Sequence, residues 1–135
     1  MKILALLVAI YAPVMLLIHV STGKILTAWN GKPESWISRR FPARRALRTE
    51  ALFWLLALAS WFLWQSIVWK VLVVVFAAIH LGIWAAAEFR GNREENSRFT
   101  VSPTMERAIV AFDLVEAIVL AGIGIVAILY LGRGW

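Results

Sequence analysis

The sequence predicts an all-α polytopic membrane protein: one domain over residues 1–135, folded as a bundle of four transmembrane helices with a hairpin between helices 2 and 3. Three observations predict this. Of the 135 residues, 61% are hydrophobic, whereas a soluble domain sits near about 45–50%. The excess lies in long unbroken runs, and about 20 apolar residues suffice to cross a bilayer core. The basic residues behind the net charge of +6 cluster between those runs, not within them. In a membrane protein such clusters set topology and attract anionic lipid, so no nucleic-acid partner is expected. The absence of cysteine excludes disulfides, thiolate metal sites and cysteine nucleophiles.

Helix 1 is expected over about 3–21, after Lys2. Met-Lys before an apolar stretch also fits a signal peptide. No convincing small-x-small cleavage site follows, so the run is read as a span, kinked at Pro13. A loop over about 22–50 comes next. Within it, Pro33 to Phe41 can form a short helix that carries Trp36 beside Arg39 and Arg40. With Arg44 and Arg45, these residues suit the lipid-headgroup region.

The stretch Ala51 to Phe89 is too long for one span and right for two. The break falls at Gln65-Ser66-Ile67-Val68-Trp69-Lys70. Helix 2 is expected at about 51–65, its first turns reaching back toward Pro42, and helix 3 at about 69–89. So short a connection makes an antiparallel hairpin. A polar loop over about 90–102 leads to helix 4 at about 103–131. Ser102 is a good N-cap there, and Pro103 suits the first helical position.

Charge fixes the expected orientation. Lys24, Lys32, Arg39, Arg40, Arg44, Arg45 and Arg48 fall in the first loop, and Arg90, Arg93, Arg98 and Arg107 in or beside the second. Only Lys2, Lys70 and Arg133 fall on the other side. Both loops are therefore read as cytoplasmic and both termini as outside, in a bacterial inner membrane. Trp61, Trp64, Trp69, Tyr130 and Trp135 would anchor the outer interface, Trp29 and Trp36 the inner one.

Helix 4 carries Asp113 and Glu116 three residues apart, hence on one face. Carboxylates inside a span are costly against lipid and should face protein or trapped water. Ala117, Ala121 and Gly124 share that face and would let another helix pack closely. Helix 3 offers Val73, Phe76, Ala77, His80, Trp84, Ala87 and Glu88 on one stripe. These two faces are expected to meet, with His80 hydrogen-bonded to Glu116 at similar depth. Asp113, Glu116 and His80 are the ion- or proton-binding candidates; Glu88 and His19 are secondary. Ser60 is expected to bond its own backbone.

The same three residues could ligate a divalent metal, but their spacing is not a metal motif and no metal is assigned. No cofactor is predicted. Haem b needs two facing histidines, and this topology sets His19 two to three turns nearer the cytoplasm than His80. A kinked helix 1 would narrow that gap. No catalytic residues are assigned, and an enzyme is not the favoured reading. The expected function is a homo-oligomeric proton- or cation-coupled transporter or channel using the acidic stripe. The alternatives are an accessory subunit of a larger membrane complex, with the stripe docking a partner helix, and a haem- or quinone-handling redox anchor.

Overall fold

The computed structural model describes residues 1–31, 35–89 and 102–133, without the side chains of residues 29–31. The expected polar loop at 90–101, Lys32, Pro33, the Trp29 side chain and Trp135 lie outside that description. The described residues form six α-helices and one 3-10 turn, with no strand among them. Helices α1 (Lys2–Val20), α5 (Ile67–Phe89) and α6 (Pro103–Gly132) are long and apolar enough to cross a membrane. Helix α4 (Ala43–Ala59) is shorter, at 17 residues, and its first turns carry Arg44, Arg45 and Arg48 before it becomes apolar at Ala51. Two short helices, α2 (Thr22–Gly31) and α3 (Trp36–Arg40), occupy much of the stretch expected to be loop.

Local chemistry accounts for the boundaries. The Ser102 hydroxyl accepts from the Met105 amide at 3.2 Å, with Pro103 in the first turn of α6. Ser35 caps α3 in the same way, through the Ser38 amide at 3.2 Å. Pro42 stands as the N-cap of α4 in an extended conformation, the pre-organised backbone a helix start needs. Between α1 and α2 the helical path scarcely breaks. Ser21 is near-helical, and its carbonyl accepts from the Lys24 and Ile25 amides. After α4 the 3-10 turn Trp61–Leu63 brings the chain round, and the Trp64 indole donates back to the Ala57 carbonyl at 2.8 Å.

Helix α6 runs antiparallel along α1. Tyr130 lies near Met1, and Gly124 lies against Ala12. A Cβ at Gly124 would stand 3.5 Å from that of Ala12, so the two backbones approach closely. The small-residue face of α6 therefore packs on α1. This corrects the expectation that it would meet α5. The physical reason is size: the buried residues of α1 include Ala5, Val8 and Ala12, whereas α5 presents aromatic rings. Helix α5 meets α6 through large side chains instead: Phe76 against Phe112, with ring centroids 5.6 Å apart, and the Trp69 indole laid over Gly122.

Helix α4 packs along α5 and also against α1. Tyr11 bridges the latter pair, its hydroxyl donating to the Thr49 carbonyl at 3.1 Å and its ring edge-on to Phe53. Phe53, Trp54, Leu63, Trp64, Met15, Leu120 and Ile123 form the shared core. The outward faces are apolar too, with Ile3, Ile10, Leu17, Val71, Ile118 and Ile125 all exposed. An apolar exterior around an apolar core is what a lipid-facing helix requires.

Ser60 departs from expectation. Its hydroxyl is fully buried and has no hydrogen-bond partner. It falls just after α4 ends, where the chain leaves the helical path along which a backbone bond would form.

Candidate functional site

Among the described residues, one carboxylate is fully buried in the apolar core. Glu116 of α6 is fully buried. Its position on the α6 face that packs against α1 turns it inward, with Ala117, Leu120 and Gly124 beside it. One carboxylate oxygen, Oε1, accepts from the Trp54 indole N–H of α4 at 3.2 Å. The other, Oε2, lies 3.3 Å from His19 Nε2 of α1 and 3.2 Å from His80 Nε2 of α5. All four principal helices thus converge on one carboxylate. His19 and His80 are 3% and 6% exposed, so the group is shielded from bulk solvent.

The histidine tautomers follow from the backbone. His19 Nδ1 lies 2.8 Å from the Met15 carbonyl, one turn back, and His80 Nδ1 lies 2.8 Å from the Phe76 carbonyl. A carbonyl only accepts, so each Nδ1 carries the hydrogen. In a neutral imidazole the Nε2 lone pair then points away from its own helix, toward Glu116. The two Nε2 atoms and Oε2 converge at ion-pair distance, so each ring meets Oε2 either through a proton on its Nε2 or through a cation held among the three atoms. With both rings neutral, three acceptors face one another and call for positive charge among them, as protons on the rings or as a metal ion.

Aromatic rings hold this arrangement. Trp54 stacks on Phe76 at 5.4 Å and on His80 at 5.7 Å. Phe112 closes the other side of His80 at 6.4 Å. The two imidazole centroids are 6.1 Å apart.

The expected His80–Glu116 pairing is present. The depth assigned to His19 is not: it stands level with His80, where two or three turns of separation were expected. Helix α2 follows α1 with only Ser21 between them, so His19 does not stand at the end of the helical column. The depth argument against haem thereby loses its basis. Glu116 Oε2 stands 3.3 and 3.2 Å from the two Nε2 atoms, a carboxylate beside the position that an iron shared by the two rings would take.

Asp113 is not within the group. It is partly exposed, one turn away on α6, next to Thr22 of α2. Glu88 is remote from it. It pairs with Arg48 at 2.6 Å and Arg44 at 3.5 Å at the basic end of the bundle. There its hydrogen bond and its charge raise the Arg48 guanidinium above the ordinary range. Arg39, Arg40, Arg45 and Trp36 are exposed at that same end, and Arg44 is half-buried against Glu88.

Sequence reasoning missed Trp54 and Glu50. Glu50 is an electrostatic neighbour of both histidines, Glu116 and Asp113. The signal was available: Ala46, Glu50, Trp54 and Ala57 recur at helical spacing along one face of α4. That face was obscured by treating residues before Ala51 as loop. Comparisons with protein-family models, with curated proteins and with solved structures return no match.

Proposed function

We propose that this chain is a cation-handling integral membrane protein, a small transporter or channel whose cation rests at the His19–Glu116–His80 centre. One observation carries the reading. Three buried ionisable groups, His19, His80 and Glu116, bring their ligand atoms within 4.8 Å of one another inside apolar helices. Ionisable residues within a span that face the bundle interior mark ion pathways more often than structure alone would require.

In this reading α4 with the turn after it is a fourth span, paired with α5 as a transmembrane hairpin. The basic end faces the cytoplasm of a bacterial inner membrane, with anionic headgroups against Arg39, Arg40 and Arg45. Asp113 and Glu50 flank the centre toward that end and give a cation an acidic approach. The bundle core is filled by side chains, so a cation reaches the centre from the Asp113 and Glu50 side, and the protein works as a homo-oligomer.

Vesicle flux tests this. Purified protein in liposomes should carry a cation across the membrane, and Glu116→Gln, which keeps the shape and removes the charge, should cut that flux at least tenfold. Wild-type flux in the folded Glu116→Gln variant would end the proposal.

A further inference from the structure

We infer that the centre is a divalent transition-metal site of the zinc class, with His19 Nε2, His80 Nε2 and Glu116 Oε2 as its three protein ligands. This deepens the reading of the centre as a cation site and rests on it.

The donor set fits such a metal. Imidazole nitrogen and carboxylate oxygen are standard zinc ligands, and two histidines with one glutamate is a known three-ligand set that leaves a fourth position open. The distances fit as well. Ligand atoms about 2.0–2.1 Å from a tetrahedral zinc lie about 3.3–3.4 Å from one another. The two Nε2–Oε2 separations are 3.3 and 3.2 Å, and all three donor atoms lie within 4.8 Å of one another.

The surrounding residues fit in a third way. Metal-bound histidines usually donate their other N–H to a carbonyl or carboxylate, and metal-bound carboxylates are themselves hydrogen-bonded. Here both imidazoles are fixed by backbone carbonyls of their own helices, and Trp54 fixes the carboxylate oxygen that faces away from the centre. All three lone pairs are thus aimed before any ion arrives.

A single proton fits less well. It bridges one of the two Nε2–Oε2 contacts, and satisfying the other takes a second proton, on the other ring. One metal ion satisfies all three donors at once. The burial of Glu116 then has a physical reason, because a carboxylate in an apolar interior needs a direct counter-charge. With the fourth position open, the ion could exchange its last ligand, as transport or chemistry at the metal would need.

The test uses the full-length protein in detergent, stripped with a chelator and titrated with Zn²⁺, with bound metal measured by elemental analysis after dialysis. In parallel, Co²⁺ is added and its visible absorption recorded. The expected result is one Zn²⁺ per chain and an intense Co²⁺ band of the four- or five-coordinate type. His80→Gln and Glu116→Gln should weaken binding at least a hundredfold. Trp54→Phe should weaken it about tenfold, and Glu88→Gln should leave it unchanged.

Three results would overturn the inference: no stoichiometric Zn²⁺ uptake by the wild type, a Co²⁺ spectrum indistinguishable from the aqua ion, or full uptake by folded Glu116→Gln. The wild-type Co²⁺ spectrum decides alone if the ligand variants do not fold. Flux of a monovalent cation with no Zn²⁺ uptake would sink this inference and spare the transport reading. Zn²⁺ bound at this centre without any flux would do the reverse.

Discussion

Two regions of this molecule are built from the same parts. In each, one glutamate faces two nitrogen-bearing side chains, both from α4 at the basic end and one each from α1 and α5 in the core. At the basic end Glu88 meets Arg44 and Arg48, all three partly exposed to solvent. In the core Glu116 meets His19 and His80 with almost no exposure. Solvent makes the difference. At the basic end, water and salt screen each charge and supply missing hydrogen bonds, so the pairing is replaceable. In the core nothing else can satisfy an orphaned group. The guanidinium groups are also permanently charged, whereas imidazoles offer lone pairs. The first cluster carries fixed counter-charges of its own; in the metal-site inference, the second is completed by an ion.

The comparison can be broken most directly at Glu116. Glu116→Ala removes the partner of two histidines and of the Trp54 N–H together. Losing one side of a buried charged group typically costs about 3–5 kcal/mol. The variant should show a much lower thermal midpoint in detergent, or fail to accumulate in the membrane. A midpoint equal to wild type would mean that the core group contributes no more than a surface pair.

A smaller effect is expected at Trp54. Trp54→Phe keeps a ring against Phe76 and His80 but deletes the donor to Glu116. Hydrogen bonds to charged groups contribute about 1.5–3 kcal/mol, so chemical unfolding should show a loss of that order. Trp54→Leu, which also removes the ring stacking, should lose more. Equal losses would assign Trp54 a packing role alone.

The smallest effect belongs to the basic end. Arg48→Ala should leave the unfolding midpoint within experimental scatter, because Arg44 remains beside Glu88 and water covers the rest. Its readout is salt: any small difference from wild type should vanish as ionic strength rises. A loss as large as that of Glu116→Ala would contradict the contrast drawn here.

Sequence and tertiary structure divide this protein along a physical line. Sequence alone determined what depends on neighbours in the chain. The long apolar runs became α1, α5 and α6; Ser102-Pro103 started α6; Pro42 marked the start of α4; and the inward stripe through Val73, Phe76, Ala77 and His80 is buried. These follow from periodicity, hydropathy and capping, which act over a few residues. The meeting of His80 with Glu116 was legible as well, because both lie mid-helix, where depth is insensitive to where a helix ends.

Only the tertiary structure decided the rest. His19 joined the centre because α1 hands over to α2 without a surface loop, and no local rule specifies how far a helical column continues past Ser21. Trp54 joined because the register of α4 against α5 brings its indole over His80. Asp113 stayed outside because one turn along α6 is enough to leave the convergence of four helices. Composition required that a buried carboxylate find partners. Which partners it found was set by helix register and by the close packing of α1 against Gly124, and these arise only when the helices assemble.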